Sequence, residues 1–477
     1  MEDKGSTKLV AWLQQSDTFQ LSQNIRVIDT KEAGRAVFLQ NGKLTENEVV
    51  VSVPTTHQLN FYTVLYHISL FNNNIVLDNV TCPIEDRPHL TSTNKNDPRF
   101  QAYSVWDTKQ LLSLTSFQLL ALYCLAEWVL LPQWSGNNDI FKSSWQPFFN
   151  VWPTADELSA VPAIWKLTKT NNDLIELLPG DSVKHMNRIS NLVETDWDVL
   201  LPTINQWYAM FPDTMKMGKT NIFKRFLLIY FAINSRCLYC DIPLRKEFAN
   251  EGEDVLLSNF TMVPYVDYLN HTDDIDQHCY PKIEKNVRRA QGIGQFMLKV
   301  GPHSYTKKGD ELMLNYGPHS NDFLLSEYGF VMKKNRWNHL DVTDYIIEQV
   351  KDKPSFPKQK QFLEDHLYWG DYTLNNEEIS FRTLVAVSLF VTEDERAVEQ
   401  FIKGFLSENK FLPLIKDFMR DMLFSLLQHY HHQVKILLQI AKKSNGIKLR
   451  QWYIDNLLTI YRGYNVMIEE HLEDINS

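Results

Sequence analysis

Cysteine is scarce in this sequence, and no apolar run is long enough to cross a bilayer. Five cysteines in 477 residues exclude a small disulfide-stabilised scaffold, and so few of them are typical of a reducing compartment. The longest apolar stretch, Leu119–Leu131, is interrupted by Glu127 and stops at Pro132, short of the ~20 residues that a membrane helix needs. It predicts a buried helix, and we expect no membrane association.

Basic residues are also too few for a protein that coats nucleic acid. The chain has 58 acidic and 48 basic residues, giving a net charge of -10. This balance predicts no direct nucleic-acid binding and favours a basic protein partner through long-range attraction. Met1–Lys4 do not begin a secretory signal, so we expect the protein in the cytoplasm or the nucleus. We also expect a monomer.

Extended segments occur in two separate parts of the chain. β-Branched and aromatic residues bounded by turn formers predict strands over 34–39, 48–54, 295–300 and 311–315. No crossover helix separates the first two, which excludes an α/β barrel. Residues 111–207 have helical periodicity, so a helical insertion is predicted to split the sheet. A further helix is predicted over 222–234.

The chain after Asn335 is predicted to be helical to its end. Two apolar stripes at i+3 and i+4 spacing predict helices that face a core. The stripes consist of Leu423, Leu426, Leu427, Tyr430, Val434, Leu437 and Leu438, and of Leu457, Ile460, Tyr461, Tyr464 and Ile468.

Two motifs in the second strand region carry more specific information. Val263–His271 contains an Asn-His pair, and Gly309–Gly317 contains a Tyr-Gly pair, followed by Glu327–Phe330. Either motif alone is weak, but their order and separation resemble the SET-domain lysine methyltransferases. In that family the two segments thread past each other as a pseudoknot.

Other segments are similar to one branch of that family. Gly34–Phe38 resembles its opening strand, and Ser144–Phe148 and Ser235-Arg236 resemble segments of the Rubisco large-subunit methyltransferase and its fungal relatives that act on ribosomal proteins. The resemblance implies an α+β fold, in which an inserted helical subdomain splits the SET β-fold and an all-helical substrate-binding domain follows. The implied boundaries are 20–110 and 222–332 for the SET domain, 111–221 for the insert and 333–477 for the C-terminal domain.

The resemblance also implies an S-adenosyl-L-methionine-dependent protein-lysine N-methyltransferase, acting on a large-subunit ribosomal protein. A free lysine has a pKa of about 10.4, so the site has to favour the neutral amine by desolvation and nearby positive charge. A tyrosine hydroxyl that accepts a hydrogen bond from the amine would orient it for transfer. The implied catalytic residue is Tyr316. The implied cofactor-binding residues are Ala33, Gly34, Arg35, Asn270, His271 and Phe330, and the implied substrate-binding residues are Arg236, Asp267, Tyr316 and Tyr328.

The opening motif departs from the family pattern at two positions. Ala36 replaces the second glycine of the usual Gly-x-Gly, which affects how closely the backbone can approach a cofactor. The acidic residue that often precedes the motif directly lies one position early, at Glu32, and Ala33 takes its place.

Two other functions are compatible with the residues. One is a SET scaffold without catalysis that binds a basic protein, which the change at Ala36 leaves open. The other is a zinc-dependent adaptor, in which Cys237, Cys240 and Cys279 would need His271 or His278 as a fourth ligand. Buried thiols are the favoured interpretation of these cysteines, and no metal site is predicted. His429, His431 and His432 are interpreted as a solvated helix face.

Overall fold

The computed structural model describes residues 4–30, 34–75, 94–138, 140–239, 260–286, 292–444 and 447–476. They form two compact units, each built from two segments of the chain. The first comprises Met1–Leu158 and Asn191–Gly317, and the second comprises Ser159–Ser190 and Pro318–Ser477. The boundaries at 110, 221 and 332 remain predictions.

The first unit contains an eight-stranded sheet in the order β1-β4-β10-β9-β11-β3-β2, with β8 paired to β11 beside that path. A second, three-stranded sheet has the order β5-β7-β6, and β12 pairs with β13 in the second unit. The described strands are β1 Gln20–Leu21, β2 Ile25–Thr30, β3 Gly34–Leu39, β4 Val49–Val53, β5 Leu59–Asn60, β6 Leu238–Tyr239, β7 Phe260–Met262, β8 Asn270–His271, β9 Cys279–Asn286, β10 Gly292–Val300, β11 Glu311–Leu314, β12 Leu340–Asp341 and β13 Thr373–Leu374.

Helices make up most of the remaining described chain. Residues 125–130 form one π-helical turn between α5 and α6, and residues 266–268 form a 3-10 helix. The helices are α1 Lys4–Leu13, α2 Phe61–Ser69, α3 Pro98–Ala102, α4 Thr108–Leu112, α5 Ser116–Cys124, α6 Leu131–Trp134, α7 Gln146–Phe149, α8 Ala155–Leu158, α9 Pro162–Thr168, α10 Asn172–Ile175, α11 Gly180–Met210, α12 Lys219–Arg236, α13 Asn321–Tyr328, α14 Thr343–Val350, α15 Phe356–Asp365, α16 Phe381–Thr392, α17 Glu395–Ile402, α18 Leu412–Lys443 and α19 Lys448–Asn476.

The four predicted strands are confirmed as β3, β4, β10 and β11. Alternate residues are buried in β11 and along 295–300, whereas β4 is buried on both faces over residues 50–53. Val37, Val51 and Leu298, for example, have no exposed surface. The predicted helix over 222–234 is confirmed as part of α12. Within the described residues, no helix is long and apolar enough to span a membrane.

Strand β11 brings the two predicted motifs together. It pairs in parallel with β8, with Met313 opposite Asn270 and Leu314 opposite His271. It also pairs in parallel with β9 through Leu314 and Cys279, and antiparallel with β3. The Asn-His pair and the residues before the Tyr-Gly pair are therefore neighbours in one sheet.

The stripe on α19 is confirmed and the stripe on α18 is confirmed in part, since Leu427 and Val434 are half-buried. All five residues of the stripe on α19 are buried, as are Leu423, Leu426, Tyr430 and Leu437 on α18. Leu438 was predicted to face the core but is 40% exposed. Successive residues of a helix lie 100° apart, and Leu438 lies outside the face that Leu437 buries. The prediction of uninterrupted helix after Asn335 also missed the short ladder of β12 and β13.

A buried ionic cluster surrounds the π-helical turn in the first unit. The Glu127 carboxylate lies 3.4 Å from Arg99 Nη1 and accepts a hydrogen bond from the Tyr103 hydroxyl at 2.5 Å. Arg99 also pairs with Asp97 at 2.7 Å. Residues 119–131 are therefore a buried helical segment, as predicted, and the one acidic residue in it is neutralised by an arginine from α3.

Candidate active site

Tyr316 lies two residues after the end of β11 and is held through both its backbone and its side chain. Its amide donates to Nδ1 of His271 at 3.0 Å, and its hydroxyl donates to the carbonyl oxygen of Leu269 at 2.6 Å. The rings of Tyr316 and His271 are 5.0 Å apart. Because Nδ1 of His271 accepts this hydrogen bond, the imidazole is not doubly protonated in this arrangement. The parallel pairing of β8 with β11 sets this geometry.

The Tyr316 hydroxyl retains its proton at neutral pH. Burial raises the pKa of Tyr316 to about 12, with Arg236 lowering it and the carboxylates of Asp267 and Glu311 raising it. These three charged side chains therefore lie close enough to act on the hydroxyl electrostatically. A neutral hydroxyl can donate to Leu269 and still offer a lone pair to an incoming amine.

Asp267 is a buried carboxylate in the 3-10 helix that precedes β8. Neither of its oxygens has a hydrogen-bond partner among the described residues. Burial raises the pKa of Asp267 to about 6, although Arg236, Arg35 and the nearby backbone amides of residues 265 and 267 lower it. A buried carboxylate that accepts no hydrogen bond is costly, even with two arginines in its vicinity. It is the kind of group that a cationic ligand would satisfy.

Asn270 uses its side chain to connect the two crossing strands. Its Nδ2 donates to Glu311 Oε1 at 2.8 Å. The sequence motifs did not assign Glu311 to the site, although it begins the predicted strand 311–315, and they did not indicate the backbone carbonyl of Leu269. Nothing in a side-chain motif marks a backbone carbonyl, which only the folded geometry can identify.

The segment at β3 contributes Gly34 and Arg35. Gly34 has φ +68°, and an added Cβ would meet no atom closer than Glu157 Oε1 at 3.9 Å. Its left-handed backbone, rather than lack of space, therefore favours glycine. Arg35 donates from Nη1 to the carbonyl of Val151 at 2.8 Å, with its guanidinium carbon 6.0 Å from the centre of the Tyr268 ring. Ala36 is fully buried in β3, opposite Ile28, and Ala33 lies outside the described residues.

Arg236 ends α12, where its Nη1 donates to the hydroxyl of Ser235 at 2.8 Å. Arg35 and Arg236 act electrostatically on Asp267, and Arg236 and Asp267 act on Tyr316. Since His271 is hydrogen-bonded to Tyr316, these five residues form one site. Asn270 joins it through Glu311.

Tyr328 and Phe330 lie in the second unit. Tyr328 is the last residue of α13, Gly329 caps this helix with φ +81°, and the rings of Tyr328 and Phe330 are 6.1 Å apart. Both side chains are half-buried. Their contacts with a cofactor and a substrate remain predictions.

The thiols of the zinc alternative do not form a cluster in the described part of the chain. Cys279 is buried, with Sγ 3.8 Å from the Tyr305 hydroxyl, and Cys237 is half-buried. Cys240 lies outside the described residues. Among described residues, no group of three or more His, Cys, Asp or Glu is placed to hold a metal ion.

The amino-acid sequence of the chain is similar to those of known methyltransferases. A family model described as the ribosomal lysine N-methyltransferase 2 C-terminal domain matches residues 338–474. Ribosomal lysine N-methyltransferase 2 of Saccharomyces cerevisiae is 42% identical over 487 aligned positions, which cover 98% of each chain. Ribosomal lysine N-methyltransferase set11 of Schizosaccharomyces pombe is 30% identical over 210 residues, 42% of this chain and 48% of that protein.

Solved structures with a similar fold are SET-domain proteins. The SET domain of LSMT bound to lysine and AdoHcy matches with a TM-score of 0.60 at 14% identity, covering 99% of this chain and 91% of that one. Rubisco LSMT bound to AdoMet matches with a TM-score of 0.59 at 15% identity, covering 99% and 92%. The predicted α+β fold with a SET β-fold is confirmed.

Proposed function

The chain belongs to the ribosomal lysine N-methyltransferase family, and from this we propose that it transfers methyl groups from S-adenosyl-L-methionine to a lysine of a ribosomal protein. The observation that carries the proposal is the Tyr316 hydroxyl. It is protonated, fixed on the carbonyl of Leu269, and placed beside Arg236 and Asp267. Relatives named for the same reaction support it, and the first of these matches over nearly the full length of both chains.

The residues of the first unit fit a cofactor that carries an amino-acid moiety. The Arg236 guanidinium suits a carboxylate, and the unpaired Asp267 carboxylate suits an ammonium group. The left-handed backbone at Gly34, which has no side chain, suits close approach of a ligand. Gly34, Arg35, Asn270 and His271 are the proposed cofactor contacts of this unit.

Bound S-adenosyl-L-methionine supplies a methyl group on a sulfonium, and the C–S bond breaks as the N–C bond to lysine forms. The amine must first release a proton to water, since the protonated form has no lone pair. Desolvation and the positive charge of Arg236 lower the pKa of an amine in this place, whereas the Asp267 carboxylate raises it. The Tyr316 hydroxyl accepts a hydrogen bond from the neutral amine and aims its lone pair. Tyr316 orients the amine and does not remove its proton, because its own pKa is about 12.

The substrate we propose is a protein of the large ribosomal subunit, and the active form we propose is a cytoplasmic monomer. Ribosomal proteins are basic, and the chain has a net charge of -10, so long-range attraction favours the encounter. The same charge disfavours direct contact with ribosomal RNA. We assign selection of the substrate to the C-terminal helices, which the family model spans.

Incorporation of a labelled methyl group into ribosomal proteins tests the proposal. Separated large and small subunits from cells that lack this chain are incubated with the protein and methyl-labelled S-adenosyl-L-methionine. We expect label in one or a few large-subunit proteins. Tyr316→Phe should transfer at least about a hundredfold less. Tyr280 lies on β9, and its hydroxyl donates to Asn47 Oδ1. Tyr280→Phe is the matched control and should behave like the parent.

Absence of label in every ribosomal protein would overturn the proposal. Label confined to small-subunit proteins would preserve the reaction and overturn the choice of subunit. Binding of ribosomal proteins without label and without affinity for S-adenosyl-L-methionine would instead support a SET scaffold that has no catalysis.

A further inference from the structure

Tyr265 has a backbone conformation that a bulky residue rarely adopts. Its φ is +75° and its ψ is -37°, outside the three regions that L-residues populate and near the strained γ-turn. Among the described non-glycine residues with positive φ it is the one aromatic residue. Such strain persists only where the surrounding structure holds it, and it is common at functional sites.

The ring of Tyr265 is what holds this conformation. The side chain is 2% exposed, and its ring lies 5.6 Å from that of Tyr268 at an interplanar angle of 67°. This edge-to-face geometry is favourable for aromatic pairs. The Tyr265 carbonyl also accepts a hydrogen bond from the Tyr268 amide at 3.2 Å. The buried ring therefore supplies the packing energy that offsets the unfavourable dihedral angles.

The consequence of the turn is the orientation of two groups in the site. Tyr265 lies in the short link between β7 and β8. It is the cap residue of the 3-10 helix 266–268, which holds the buried Asp267 carboxylate. Four residues after Tyr265, the Leu269 carbonyl oxygen accepts a hydrogen bond from the Tyr316 hydroxyl at 2.6 Å. A residue with ordinary negative φ at 265 would send the chain in another direction and move both groups.

We infer that Tyr265 is a positioning residue for methyl transfer: its inverted backbone, fixed by its buried ring, holds the Asp267 carboxylate beside Arg236 and the Leu269 carbonyl against Tyr316. The inference rests on the proposed function for its kinetic consequence. Its structural consequence is that the conformation of residue 265 changes the contribution of Asp267 to stability. This consequence, the coupling between residues 265 and 267, does not depend on that function.

Substitution of Tyr265 by glycine and by alanine distinguishes the effect of the backbone turn from the effect of the ring. Both substitutions remove the ring, but only glycine adopts positive φ without strain. Tyr265→Gly should therefore have a kcat/KM about tenfold above that of Tyr265→Ala. The reason is that holding alanine at positive φ costs free energy equivalent to roughly a factor of ten in rate. Tyr265→Phe keeps the ring and should stay within about twofold of the parent. The matched control is Leu367, which has φ +63° and is 80% exposed in the second unit; Leu367→Gly and Leu367→Ala should have equal kcat/KM.

The coupling is measured by denaturant unfolding at pH 7.5, with Asp267→Asn introduced into each background. The effect of Asp267→Asn on stability should be similar in the parent and in Tyr265→Gly, and at least half of it should be lost in Tyr265→Ala. Equal kcat/KM for the glycine and alanine variants, together with equal effects of Asp267→Asn, would overturn the inference and leave the ring with a packing role only. If the parent transfers no methyl group but the coupling behaves as stated, the proposed function fails and the positioning of Asp267 by Tyr265 stands.

Discussion

At the scale of single residues, Tyr316 is predicted to act on the rate of transfer and not on cofactor affinity. Tyr316→Phe removes a hydroxyl that orients the amine, so kcat should fall at least about a hundredfold. The dissociation constant for S-adenosyl-L-homocysteine should change by less than about twofold, because the hydroxyl is bonded to Leu269. Steady-state kinetics and calorimetry measure the two effects. A loss of affinity as large as the loss of rate would assign the hydroxyl to cofactor binding.

Asp267 is predicted to make stability depend on pH. Burial raises its pKa to about 6, from about 3.9 in the unfolded chain. The stability that a raised pKa provides is present below about pH 4 and is lost as the pH rises past about 6. Asp267→Asn does not titrate, so its stability relative to the parent should increase by about 1–1.5 kcal/mol from pH 5 to pH 7.5.

Urea unfolding at several pH values checks this prediction, with the exposed Asp276→Asn as a control for removing one charge. A constant difference between Asp267→Asn and the parent across that range would show that Asp267 is not the buried, unpaired carboxylate described here.

Sequence motifs identified the side chains of the site but not the backbone groups that position them. Tyr316 and His271 were predicted from the Tyr-Gly and Asn-His pairs, and the structure places them in contact. The Leu269 carbonyl and the strained Tyr265 were not predicted, because a backbone group and a dihedral angle have no signature in residue type. Arg35 was assigned to the cofactor by resemblance, and its bond to Val151 shows a structural use that no local pattern indicates.

At the scale of elements, the ionic cluster around the π-helical turn is predicted to stabilise the first unit strongly. Glu127 and Arg99 are 1% and 6% exposed. Burial acts to raise the pKa of Glu127, but the opposing effects of Arg99, His67 and Tyr103 lower it overall. Arg99→Met leaves a buried carboxylate without its cation, so the free energy of unfolding should fall by about 3–5 kcal/mol.

The double variant Arg99→Met/Glu127→Leu should recover only part of that loss, because it removes the Glu127 charge but leaves the buried Asp97 carboxylate without its arginine. Asp97 keeps a role in either variant, since it caps α3 by accepting the amide of residue 99. Denaturant unfolding at pH 7 measures all three proteins. If the single variant loses less than about 1 kcal/mol, the cluster is only weakly stabilising.

The elements themselves were predictable where a periodic pattern agreed with local turn signals. The predicted bounds of β3 equal the observed ones, Gly34–Leu39. Leu438 was misplaced because helical spacing alone does not fix how wide the buried face is. The ladder of β12 and β13 was missed because two-residue strands have no periodicity to detect.

At the scale of the whole molecule, the second unit is predicted not to tolerate removal of its C-terminal helices. It joins residues 159–190 to residues 318–477. Within it, the Tyr461 hydroxyl donates to the Leu177 carbonyl at 3.0 Å, and the Tyr464 hydroxyl bonds to the buried Asp322 carboxylate. Truncation after Asn335 exposes the faces that α18 and α19 cover, so the fragment should aggregate. Sedimentation and dye binding to exposed apolar surface measure this, and a soluble, cooperatively folding fragment would contradict it.

The division into units could not be read from the sequence. Residues 159–190 precede the Val263–His271 motif by more than 70 residues and carry no change in composition at either end. They belong with the C-terminal helices because of long-range contacts such as the bond from Arg450 to Asn171 at 2.8 Å. Only the folded chain brings such contacts together.

Methylation of ribosomal proteins in cells is the most direct test of the central claim. Intact-mass and peptide mass spectrometry of large-subunit proteins compares cells that lack the chain with cells that carry the parent or Tyr316→Phe. We predict that at least one lysine is methylated with the parent and unmethylated both in its absence and with Tyr316→Phe. Identical methylation in all three strains would contradict the account.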